Sequence, residues 1–118
     1  MSRGPITSHI LNIARGKPAA GVRITLAKHD EAGPSAALTE IASRVTDPDG
    51  RVIDLLPPGP APLGTYRLTF DVKSYFEALG EKAFYPSVSV DFVIEAEAEH
   101  YHVPLLLSPF GYSTYRGS

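Results

Sequence analysis

The sequence predicts an all-β fold, an antiparallel two-sheet β-sandwich of seven to eight short strands with one short helix. Turn-forming residues recur at short intervals, in Arg15-Gly16-Lys17-Pro18, Gly33-Pro34, Asp47-Pro48-Asp49-Gly50 and Pro57-Pro58-Gly59-Pro60. The segments between them alternate in polarity or are rich in β-branched and aromatic residues, which suits a pleated surface with one buried face. Only one stretch carries helix signals.

Taken in order, strands are predicted near residues 6–13, 22–28, 39–45, 51–55, 66–72, 87–94, 101–107 and 112–115. The helix is predicted over residues 75–79, with Ser74 and Glu77 as a capping box and Gly80 as a left-handed stop. A helix this short is unstable alone and must lean on neighbouring strands. The proline-dense segment 57–64 is expected on the surface. The chain of 118 residues is expected to form a single domain spanning residues 1–118.

Composition narrows the function. Apolar residues make up 43% and charged residues 20%, near globular averages, so wholesale disorder is not expected. A net charge of −2 gives no basic footprint for nucleic acid. No apolar run reaches membrane-spanning length and no signal-peptide core follows Met1, so a protein of the cytoplasm is expected. The absence of cysteine removes disulfides and thiolate chemistry. No phosphate-binding glycine loop or dinucleotide fingerprint occurs.

Histidine moves protons most readily near neutral pH, so the four histidines come first. Strand periodicity puts His9 on a face with Leu11 and Ile13, His102 with His100, Pro104 and Leu106, and Ser113 with Tyr115 and Gly117. His29, beside Asp30 and Glu31 in an expected loop, reads as structural. His100-x-His102 can chelate zinc, with His9 as third ligand if the first and seventh strands converge. Arg51 follows its turn directly. It is either a solvated arginine at a strand start or a donor fork held rigidly for an anionic or imide-like ligand. Tyr115-Arg116-Gly117-Ser118 reads as a fraying end, although the preceding Ser108-Pro109-Phe110-Gly111-Tyr112 is unusually structured for a tail.

Three separated blocks, in order, resemble the transthyretin-related 5-hydroxyisourate hydrolases. They are Thr7-Ser8-His9-Ile10-Leu11-Asn12 with Gly16-Lys17-Pro18-Ala19, then Thr46-Asp47-Pro48-Asp49-Gly50-Arg51, then His100-Tyr101-His102-Val103-Pro104-Leu105-Leu106-Leu107-Ser108-Pro109 with the closing Tyr115-Arg116-Gly117-Ser118. Phe110 stands where tyrosine is common and Asn12 where aspartate is common, and neither touches the proton-transfer groups.

The resemblance implies a transthyretin-like sandwich that opens 5-hydroxyisourate by hydrolysis in urate degradation. It implies His9, Arg51 and His102 as catalytic residues, with Arg51 also contacting substrate alongside Tyr115 and Ser118. His100 matches a motif position without a catalytic role. No metal or cofactor is implied, and the active assembly is a homotetramer whose sites lie in channels between subunits. Transthyretin itself lacks the histidines, the arginine and the closing tetrapeptide. A non-catalytic small-ligand carrier on the same fold is the alternative.

Overall fold

Nine strands and one helix follow one another along the chain in a computed structural model that describes residues 3–30 and 37–118. The strands are β1 (Ile6–Asn12), β2 (Lys17–Pro18), β3 (Arg23–His29), β4 (Leu38–Val45), β5 (Arg51–Val52), β6 (Gly64–Phe70), β7 (Val88–Ile94), β8 (Tyr101–Ser108) and β9 (Gly111–Thr114). Helix α1 (Val72–Ala78) lies between β6 and β7. The Gly33-Pro34 turn falls outside the described residues.

Two sheets result. The first has the order β2-β1-β8-β9, with β5 also paired to β1, and the second the order β4-β3-β6-β7. All ladders are antiparallel except β1–β8, which is parallel and runs from Ile6 opposite Tyr101 to Asn12 opposite Leu107. The sandwich expected from sequence is therefore present, with the two-residue β2 bringing the strands to nine.

Alternation explains the core. Ile6 and Ile10 of β1 and Val103, Leu105 and Leu107 of β8 point inward against Ile24, Leu26, Leu68, Phe70, Val88 and Ile94 of the other sheet. Val72, Tyr75 and Phe76 of α1 close one end of this core. Each fully buried aliphatic or aromatic side chain of this kind contributes about 1.5–3 kcal/mol of transfer free energy. The intervening residues of β1 and β8, Thr7, His9, His102 and Pro104, consequently face outward on a sheet whose other side is clamped by the core.

Three expectations change. The helix begins at Val72, because Asp71 and not Ser74 is its cap: the Asp71 carboxylate accepts from the Ser74 backbone N–H at 3.2 Å and its hydroxyl at 2.8 Å. That occupies the Ser74 side chain and starts the helix a turn earlier. Gly80, at φ 74°, does take the left-handed conformation after the helix. The strand expected over 51–55 keeps ladder geometry only at Arg51–Val52. Beyond Val52 the Ile53 carbonyl accepts from the Gly4 N–H at 2.7 Å, off the register of the ladder, and the chain then turns outward into the exposed Pro57-Pro58. His29 ends β3 instead of lying in a loop, 3.3 Å from Asp91.

Asn12, fully buried, anchors the end of β1. Its amide donates to the Tyr75 hydroxyl at 3.1 Å, and its carbonyl accepts from the Ala14 and Arg15 N–H groups. Asn12→Ala would strand these partners without acceptor or donor and is expected to lower stability by about 1–3 kcal/mol, read from the urea midpoint. Tyr75→Phe removes one partner only and is expected to shift the midpoint less.

Candidate active site

Four neighbouring elements bring the candidate residues together on the outer face of the first sheet. β1 carries Thr7 and His9, β8 carries His102, β5 carries Arg51, and the tail returns to deliver Ser118. Register does most of the work: Thr7 sits opposite His102 in the parallel ladder, and His9 sits opposite Arg51 in the antiparallel one. Arg3, Thr7, Arg51, His100, His102 and Ser118 line one cleft of about 150 Å³ together with Ser8 and Ile53.

Arg51 is aimed by its turn. The Asp47 carboxylate accepts from the N–H groups of Asp49 and Arg51, both at 2.9 Å, and the Asp47 N–H donates to the Arg51 carbonyl at 3.1 Å. Gly50 is required twice over. Its φ of 75° disfavours any side chain, and a Cβ there would lie 2.5 Å from the Ile10 carbonyl oxygen. The Arg51 backbone is thus fixed by the turn, and its side chain is exposed at the cleft wall.

The tail does not fray. Thr114 donates its hydroxyl to the Pro104 carbonyl at 2.6 Å, and the Gly117 N–H donates to the His102 carbonyl at 2.8 Å. Pro104 offers no N–H, and residues 115 and 116 leave the ladder beside it before the bridge at Gly117 restores the pairing. Arg116 donates to Glu99 at 3.0 Å and lies 4.4 Å over the Tyr101 ring. Two expected site residues, His9 and Tyr115, are not among the residues lining the cleft; His9 stands beside it, opposite Arg51. Tyr115 lines a neighbouring cavity of about 390 Å³ with Phe92, Tyr101 and Arg116, which meets the cleft only at His102.

Thr7 is the member that sequence reasoning missed. Its hydroxyl lies 2.8 Å from Nδ1 of His102 and 2.9 Å from Nε2 of His100, so both imidazoles converge on one oxygen. The available signal was its position two residues before His9, hence on the same strand face. Arg3 was missed as well and carried no motif. The zinc arrangement is not formed: among the described residues no group of three or more His, Cys, Asp or Glu is placed to hold a metal ion. The two imidazoles turn toward Thr7 instead.

The imidazolium form is disfavoured at both histidines. Burial pushes the His102 imidazole below its ordinary value of 6.5, and His100, His9, Arg51 and Arg3 add positive charge in the same direction. Burial, then Arg3, lowers His100 likewise. No acidic side chain lines the cleft to oppose this. Neutral imidazoles beside guanidinium groups can accept a proton from water while the cations hold an electron-rich ligand.

Gly117 leaves no room for a methyl group, since its Cβ would lie 2.5 Å from Cδ2 of His102. Gly117→Ala is expected either to swing the imidazole off Thr7 or to lift the tail, visible in a crystal structure of the variant. An unmoved ring and tail would contradict the contact.

The family model described as the HIUase/Transthyretin family matches residues 6–117. The 5-hydroxyisourate hydrolase of Mus musculus is 43% identical over 114 residues, covering 97% of this chain and 95% of the relative. The structure of Klebsiella pneumoniae 5-hydroxyisourate hydrolase superposes with a TM-score of 0.82 at 36% identity, with both chains fully covered. Sea bream transthyretin in complex with thyroxine superposes at 0.87 with 33% identity, over 96% of this chain and 94% of that one. The chain belongs to the HIUase/Transthyretin family.

Proposed function

We propose that this chain is a 5-hydroxyisourate hydrolase of urate degradation, a single-domain enzyme that opens its substrate ring without a bound metal or cofactor. Water adds to a ring carbonyl, the adjoining C–N bond breaks, and the new carboxylate and ring nitrogen leave as 2-oxo-4-hydroxy-4-carboxy-5-ureidoimidazoline. Such a step needs a base for water, a proton for the departing nitrogen and positive charge beside the tetrahedral oxyanion. The observation that carries the reading is the meeting of His102 and Arg51 in one cleft, where burial and nearby positive charge disfavour the imidazolium form of His102.

In this reading one of His9 and His102 takes the proton from water and the other orients it or returns the proton. Arg51 holds the substrate oxygens and stabilises the developing charge, and Ser118 borders the same cleft. Tyr115 serves substrate from the neighbouring cavity. The competing reading, a non-catalytic small-ligand carrier, gives no role in proton transfer to the two imidazoles gathered in the cleft beside two guanidinium groups.

A homotetramer fits the exposed architecture. The site is a small cleft on an open sheet face, and β7 and β9 are unpaired edges of their sheets. Edges of this kind invite pairing with another copy, and a facing subunit would enclose the cleft. No helix among the described residues is long and apolar enough to cross a membrane, and we place the enzyme in the cytoplasm.

The first test follows the ultraviolet absorbance of freshly generated 5-hydroxyisourate and compares its rate of decay with and without protein. Acceleration that survives chelator is expected, with kcat/KM falling about 100-fold or more in Arg51→Ala and in His102→Ala. Undiminished activity in either folded variant would remove that residue from the machinery. A fully active monomer in dilute solution, by sedimentation, would remove the tetramer.

The pH profile offers a separate check. The form of His102 that accepts a proton is the neutral one, and its environment disfavours the imidazolium. Activity should therefore persist as pH falls to 6.5, with the acid limb of kcat/KM centred below the ordinary histidine value of 6.5. An acid limb centred above 6.5 would contradict the assignment.

A further inference from the structure

Thr7 has a single hydroxyl proton, yet it stands within hydrogen-bond distance of two imidazole nitrogens, Nδ1 of His102 at 2.8 Å and Nε2 of His100 at 2.9 Å. A hydroxyl donates once and can accept twice. With both rings neutral, Thr7 satisfies both contacts only if it donates to one ring and accepts an N–H from the other. The two tautomers are thereby tied together. If His102 carries its proton on Nδ1, it donates to Thr7, Thr7 donates to Nε2 of His100, and the Nε2 lone pair of His102 is free. If the chain runs the other way, Nε2 of His102 is an N–H and cannot act as a base.

We propose that Thr7 and His100 are positioning residues that hold His102 in the Nδ1–H tautomer, making Nε2 of His102 the general base that activates water. The inference rests on the hydrolase reading and chooses between the two histidines that reading leaves open. Thr7 is 4% exposed, so bulk water does not compete well for its hydroxyl. Its register opposite His102 in the parallel ladder fixes the contact through backbone geometry. Gly117 packs against Cδ2 of His102 on the ring edge that includes Nε2, limiting rotation of the imidazole.

The same chain disperses charge. As Nε2 of His102 takes a proton from water, the Nδ1 proton can pass to the Thr7 oxygen and the Thr7 proton to Nε2 of His100. Water supplies one proton, the hydroxide adds to the carbonyl, and the net positive charge ends on His100. His102 is left neutral with its proton on Nε2, the form that donates to the departing nitrogen. Return of the protons along the same path then restores the starting state. The cationic groups His9 and Arg51 oppose charge on His102 but are not among those that oppose it on His100, where burial and Arg3 act, so the transfer moves the charge away from them.

The test is nitrogen-15 NMR of the folded wild-type protein at pH 8, where long-range couplings distinguish a protonated ring nitrogen from a bare one. Nδ1–H with bare Nε2 is expected for His102 and for His100. Thr7→Val should lower kcat about tenfold or more with KM within about threefold, and Thr7→Ser should restore most of the loss. His100→Phe, which spares Thr7, should move His102 toward the Nε2–H tautomer and lower kcat similarly. An Nε2–H tautomer of His102 in active wild-type enzyme, or a Thr7→Val variant with kcat within about twofold of wild type, would overturn the proposal. Wild-type protein with the expected tautomers but no action on 5-hydroxyisourate would instead overturn the hydrolase reading, and with it the role of His102 as base.

Discussion

The parallel pairing of β1 with β8 is the constraint on which the rest of the molecule depends. Side chains of a strand alternate between faces, so register alone decides which groups meet across a ladder. With Thr7 opposite His102, the outward Thr7 reaches the cleft, and the inward Ile6 and Ile10 join the core. A slip by one residue would exchange the two sets. The register is locked from the buried side, where Ser8 donates its hydroxyl to the Val103 carbonyl at 2.7 Å. At its far end the fully buried Asn12 ties the strand to α1. The chemistry on the outer face is thus held by hydrogen bonds and packing on the inner one.

Onto this pair the chain adds two further segments from opposite sides. β5 docks on β1 and brings Arg51 opposite His9, and the tail docks on β8 and brings Gly117 opposite His102. Both depend on glycine for different physical reasons. Gly50 allows a backbone conformation that other residues resist, whereas Gly117 allows a close approach that any side chain would block. Residues carried on such mounts lose little further freedom when a ligand binds, and that pre-organisation is what positioning for catalysis requires.

The cleft gathers positively charged and proton-accepting groups without an acidic side chain among its lining residues. Such an arrangement opposes its own protonation and waits for an electron-rich ligand. The acidic partners lie at the perimeter, as in the exposed Arg116–Glu99 pair, where ion pairs contribute little to stability and serve mainly to place the tail. The fold supplies a stable sheet and the outward residues supply the function, so one sandwich can carry either an enzyme site or a ligand-binding site.

Much of this was legible in the residues. Alternation and turn chemistry determined the all-β class, the tight turn before Arg51 and the left-handed stop at Gly80, because these depend on local geometry. Of the residues that the three motif blocks singled out, Arg51, His102 and Ser118 line one cleft and His9 does not. The helix cap was misplaced because Asp71 competes for the Ser74 hydroxyl, a contact set by a side chain one turn upstream. Pairing partners were not legible at all. Thr7 is separated from His100 by 93 residues and from His102 by 95, and nothing local says that their strands run parallel and adjacent. Tertiary structure alone decided that two imidazoles share one hydroxyl, that Arg3 joins them, and that Tyr115 lines a different cavity, because each depends on burial of the two sheet faces against each other.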